Sequence, residues 1–158
     1  MDERLGFQLY FPTETEVKET STFLIWSILT VASIFDARSY TIPNQLIILG
    51  YLAGICLNLQ SYGMIGIAYF ILKAGWPYIC LSLLYFLGKQ IGSGDIKLFS
   101  VIASMVGARI TIEIMYTSVI LAGIAIVVVS LYERQLLKRN LHYSFYITAA
   151  FFLLQWKK

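Results

Sequence analysis

Beyond residue 19 the chain holds only four acidic residues: Asp36, Asp95, Glu113 and Glu133. Glu133 adjoins Arg134, and Glu113 follows Arg109 by four residues, a spacing that pairs charges on one helix face, so both read as interfacial charges. Asp36 and Asp95 differ. Asp36 directly follows the apolar run Ala32-Ser33-Ile34-Phe35, and Asp95 lies in Gly92-Ser93-Gly94-Asp95-Ile96-Lys97 at the head of another apolar run. Two carboxylates held close together in apolar surroundings cannot both ionise cheaply, so they share a proton. One can then take a proton from water while the other donates to a scissile carbonyl, which is the chemistry of aspartyl proteases. Gly92 and Gly94 permit positive backbone dihedrals and the close approach of an extended peptide. Taken alone, the same residues read equally as a helix start capped by Ser93 or Asp95, with Asp36 an interfacial acid and Lys97 an edge lysine.

The elements that must hold such a pair are membrane helices. Of 158 residues, 58% are hydrophobic and 13% charged, and the mean hydropathy is +0.72. A single water-soluble domain of this length has too little interior to hide that much apolar surface. Seven of the charged residues fall within the first 19 positions, which makes the rest of the chain more apolar still. The composition excludes a disordered chain, a disulfide scaffold and a nucleic-acid binder, the net charge of +3 being accounted for by lysines and arginines in loops between spans. Cys56 and Cys80 sit in apolar runs and read as small hydrophobes. Residues 1–20 are acidic and lack an apolar core, so they form a polar leading segment rather than a secretory signal, followed by a transmembrane domain over 21–158.

Stretches almost free of charge predict an all-α bundle of about six transmembrane helices, at 22–35, 44–59, within 64–87, 96–108, 114–132 and 143–156. Pro43 separates the first two. The third carries Lys73 and Pro77, so either the lysine snorkels or the span starts near Gly75. The fourth is short, about 20 Å at 1.5 Å per residue against a ~30 Å hydrocarbon core, which sinks its polar start below the membrane surface. One set of loops carries Arg38, Lys89, Lys97, Arg134, Lys138 and Arg139; the other carries Arg109, Lys157 and Lys158. The first set is therefore cytoplasmic, and the leading segment lies outside. Alternation of the spans then brings Asp36 and Asp95 to the cytoplasmic side together. Helix-end electrostatics predict the shared proton on Asp36, at the end of a helix, rather than on Asp95 at the start of one, with Arg38 opposing. His142, the sole histidine, reads as an interface residue.

Asp36-Ala37-Arg38, Ile42-Pro43-Asn44 and Gly92-Ser93-Gly94-Asp95-Ile96-Lys97-Leu98 together resemble the type IV prepilin peptidase family, over about residues 22–156. The resemblance pairs an aspartate six residues ahead of Ile-Pro-Asn with a second aspartate in GxGDxKL. It implies a GxGD intramembrane aspartyl endopeptidase of the bacterial cytoplasmic membrane, which removes the basic leader of type IV or Flp-type prepilins after a glycine. Asp36 and Asp95 would be catalytic, and Gly92, Gly94 and Lys97 would shape the substrate-binding loop. The partners implied are a prepilin or pilin-like substrate helix and the lipid bilayer, with no nucleic acid. The chain lacks the paired CxxC motifs and cytoplasmic insertion of bifunctional members. It is similar to the short, peptidase-only form, so no zinc, S-adenosylmethionine or other cofactor and no methyltransferase activity are expected. Two other readings remain at this point. One is a different GxGD protease, such as an archaeal preflagellin-type enzyme; the other is a small transporter or assembly subunit using Asp36 and Asp95 for a cation or proton.

Overall fold

Proline and glycine divide the apolar chain into helices. The computed structural model describes residues 14–39, 41–88, 92–132 and 143–156. Among them it is all-α: α1 (Glu14–Ser39), α2 (Asn44–Tyr62), a 3₁₀ turn (Gly63–Ile65), α3 (Gly66–Gly88), α4 (Ser93–Val106), α5 (Ala108–Tyr132) and α6 (Tyr143–Trp156). Pro43 precedes α2 in an extended conformation (φ −64°, ψ 135°), as its ring and missing N–H favour outside a helix. At the end of α4, Gly107 takes φ 81° and donates its N–H to the Ala103 carbonyl, a geometry that disfavours any residue with a Cβ.

Helix α1 begins at Glu14, well before the apolar run that opens at Phe23. Its polar opening continues the span because hydroxyls close back on the preceding turn: Thr20 Oγ1 donates to Glu16 O (2.8 Å), Ser21 Oγ to Lys18 O (2.8 Å) and Thr22 Oγ1 to Lys18 O (2.9 Å). Part of the polar leading segment is thus one helix with the first span, while residues 1–13 lie outside the described residues.

The bundle is built around α4, which packs on α1, α2, α3 and α5. Nine of its 14 residues are buried, from Ile96 to Met105. Its contact with α2 uses small residues: a Cβ on Gly54 would collide with the Ser104 side chain, and one on Gly50 with Val101. This is the close helix approach that small residues four apart allow where lipid supplies no hydrophobic drive. Polar groups stitch the same contact. Asn58 Nδ2 donates to Gly54 O and to Ser104 O, both at 2.7 Å. Tyr51 Oη donates to Ser100 Oγ (2.9 Å), which passes its own proton to Ala74 O of α3 (2.7 Å).

The partition of polarity suits a bilayer. Ser100, Ser104, Thr111, Ser118 and Ser144 are buried, whereas Phe23, Ile71, Leu72, Phe86, Tyr116 and Trp156 face outward. Among the described residues, three helical segments are long and apolar enough to cross a membrane: Thr15–Ser39, Asn44–Phe86 (which contains both α2 and α3) and Ala108–Val128. Helices α4 and α6 have 14 residues each, about 21 Å, and fall short. A count of six full-length spans is therefore too high. For α4 the reason is its central position, where it is covered by protein.

Helix α3 runs unbroken through Pro77, so the span does not start near Gly75. Lys73 turns its ammonium to α2, donating to Asn58 Oδ1 at 2.9 Å and standing 5.1 Å from the Tyr62 ring centroid. Arg109 and Glu113 form an exposed pair at 3.6 Å. Cys56 and Cys80 are free thiols on the outer face of the bundle. Lys89, Glu133, Arg134, Lys138, Arg139, His142, Lys157 and Lys158 lie outside the described residues.

Candidate active site

Alternation of the helices brings the end of α1, the starts of α2, α4 and α6, and the end of α3 to one end of the bundle. Asp36 lies one turn before the end of α1 and Asp95 in the first turn of α4. Both are half-buried, and their carboxylates are near enough for the charges to interact.

Asp95 is the third residue inside α4, after its N-terminal cap Gly92. From there its carboxylate reaches back to accept from the Gly92 backbone N–H, while the Asp95 and Ile96 N–H groups donate to Gly92 O at 3.1 and 3.2 Å. This is half of a capping box, with a glycine where the capping side chain would stand. The absence of that side chain has a steric cause: a Cβ on Gly92 would lie 2.7 Å from Asp95 Oδ2. The glycine is not there for a left-handed turn. Gly92 has φ −65° and ψ 139°, and the positive-φ glycines among the described residues are Gly63 and Gly107. Neither Gly92 nor Gly94 uses the positive dihedrals that glycine permits: Gly92 enters α4 in extended backbone and Gly94 lies within the helix.

The two sequence segments flanking the aspartates clasp one another. A Cβ on Gly94 would meet the Ile42 side chain at 3.4 Å, so Ile42 seats against the glycine. Further along each segment, Lys97 Nζ donates to Asn44 Oδ1 at 3.0 Å, tying the early part of α4 to the first residue of α2. Asp36 is held from a third direction. Ser144 Oγ, fully buried at the start of α6, donates to Asp36 Oδ2 at 2.7 Å. Its neighbour Tyr143 stands 6.3 Å from the Phe99 ring of α4 and shares a 3.1 Å hydrogen bond with Ser118 of α5.

The structure therefore brings together all five candidate residues, Asp36, Gly92, Gly94, Asp95 and Lys97, and adds Ser144 and Tyr143, which the sequence did not single out. No local pattern marks them, since Ser144 is 108 positions from its partner.

Residues 23–131 match the type IV leader peptidase family. The chain belongs to that family. The match covers well over half the chain, including both aspartates and the segments that clasp around them, and makes the protein a type IV leader peptidase-like protease of the membrane. No curated protein and no solved structure matches the chain. Within this family member, α6 lies beyond the matched residues, yet it delivers the hydroxyl bound to Asp36.

Proposed function

We propose that this protein is an intramembrane aspartyl endopeptidase that removes the basic leader of type IV or Flp-type prepilins, cutting after a glycine at the cytoplasmic face of a bacterial membrane. The observation that carries this reading is the convergence of two carboxylates from α1 and α4 at one end of an apolar bundle, close enough to interact. A carboxylate pair of this kind titrates as a unit and keeps one proton between its members over a range of pH.

Hydrolysis then needs nothing beyond the pair and a water. The ionised carboxylate takes a proton from water as the water oxygen bonds to the scissile carbonyl carbon. The protonated carboxyl gives its proton to the carbonyl oxygen, forming a neutral gem-diol. Proton return to the amide nitrogen breaks the C–N bond and releases the leader as a carboxylic acid and the pilin as a new amine. Family membership favours a leader peptide as substrate. The excess of lysine and arginine on loops at the aspartate end favours the cytoplasmic side, where a basic leader remains untranslocated.

The test is co-expression with a prepilin carrying a basic leader that ends in glycine. Wild type is expected to produce the shortened pilin, and Asp36→Asn and Asp95→Asn, inserted at normal levels, to produce none. Cleavage that survives either substitution overturns the catalytic assignment.

A further inference from the structure

Helix α6 stands on α1 through a line of hydroxyls. Ser33 Oγ and Thr148 Oγ1 are 2.7 Å apart, Thr148 Oγ1 donates to Leu29 O (3.3 Å) and to Ser144 O (2.9 Å), and Ser33 Oγ reaches Ser144 O at 3.4 Å. Trp26 closes the seam further along, edge-on to Phe151 and Phe152 at 5.7 and 5.5 Å. These contacts set the rotation and height of α6. One turn from Ser33 the line ends on Asp36, where Ser144 Oγ donates to Oδ2. The serine hydroxyl is the donor in this contact, the arrangement that an ionised carboxylate, which only accepts, can use. Ser144 is fully buried, which denies its hydroxyl a competing water.

We propose that Ser144 is a positioning residue for the aspartate pair, fixing the Asp36 carboxylate in rotation and favouring its charged form, so that Asp36 activates the water and Asp95 carries the proton to the carbonyl. The proposal rests on the peptidase reading for its chemistry. A donor to the charged form favours ionisation, and here it acts against the helix-end field, which by itself would leave the proton on Asp36. The hydrogen bond is directional, ending on Oδ2 at 2.7 Å. It also gives α6, outside the residues matched by the family, a part in the reaction.

The experiment compares Ser144→Ala, Ser144→Thr and Ser33→Ala with wild type in prepilin cleavage across pH, and by infrared titration of the purified protein, using the carboxyl band lost in Asp36→Asn. Losing a donor to a charged group is expected to move the acidic limb of kcat upward by about one pH unit and to lower kcat roughly tenfold, with KM little changed. The limb moves up because the carboxylate then holds its proton to higher pH. Ser144→Thr, which keeps the hydroxyl, is expected to return the limb toward wild type. Ser33→Ala loosens the same seam without touching the carboxylate, and its limb is expected to stay in place. A Ser144→Ala enzyme that is slower at every pH with an unmoved limb overturns the proposal and leaves the peptidase standing. If wild type cleaves nothing, the peptidase reading falls. The infrared titration then decides the hydrogen bond alone: an Asp36 band shifted in Ser144→Ala upholds the serine's hold on Asp36, and an unshifted band overturns it.

Discussion

Each residue around the two aspartates answers to a specific neighbour. Gly92 is the sharpest case, since a methyl group there would sit 2.7 Å from Asp95 Oδ2, whereas one on Gly94 would touch Ile42 at an ordinary 3.4 Å. The two glycines of the motif are therefore unequal. Gly92→Ala is expected to leave insertion and thermal stability near wild type while pushing the Asp95 carboxylate off its position, with a loss in kcat on the order of a hundredfold, the size that misplacing a reacting group by about 1 Å produces. Gly94→Ala is expected to cost far less. Cleavage rates of the two variants beside their melting temperatures check this, and equal losses would show that the Gly92 contact does not govern the carboxylate. The aspartates were readable from sequence because each lies in a short, contiguous motif. Ser144 was not, because a hydrogen bond across 108 positions leaves no local spacing.

Among the elements, α4 carries Asp95 and packs closely on α2. Asn58 ties the two by giving both amide protons to carbonyls, Gly54 O in its own helix and Ser104 O in α4, while taking the Lys73 ammonium on its oxygen. Asn58 is 2% exposed, so removing it leaves the Ser104 carbonyl and the half-buried Lys73 ammonium without this partner. Asn58→Leu is expected to destabilise the bundle by about 1–3 kcal/mol, read as a fall in the thermal or denaturant midpoint in detergent; an unchanged midpoint would mean the seam is held by packing alone. Sequence hydropathy recovered α6 at 143–156 and the bodies of α2, α3 and α5, because apolar runs and breaker residues mark them plainly. It started α1 late, since Glu14 to Thr20 look like loop until their hydroxyl contacts to the preceding turn are seen. It treated Lys73 as a snorkelling or interfacial problem, because its partner Asn58 sits in another helix. It also passed over Gly50 and Gly54, whose spacing of four was legible as a packing face.

For the whole molecule, the bundle keeps its buried hydroxyls and Asn58 among apolar core residues and is apolar outside, with one helix enclosed by the others. That enclosed helix is the short one. At about 21 Å, α4 falls roughly 9 Å short of a ~30 Å hydrocarbon layer. Its two ends cannot both reach the headgroup level unless the bilayer thins around the protein. In the proposed reaction every bond cut consumes a water molecule, and the solvent most hostile to water surrounds the site. A dimple in the leaflet beside Asp95 solves that problem of supply: bulk water comes down to the carboxylates, and the substrate strand has only to uncoil at a shallow wet surface. Cleavage is accordingly expected to slow as the protein is reconstituted from short-chain into long-chain phosphatidylcholine, and a rate indifferent to acyl length would point to a permanent water path through protein. On this account the bilayer is a reagent store as much as a scaffold, and the length of one helix sets how far its hydrolytic water must travel.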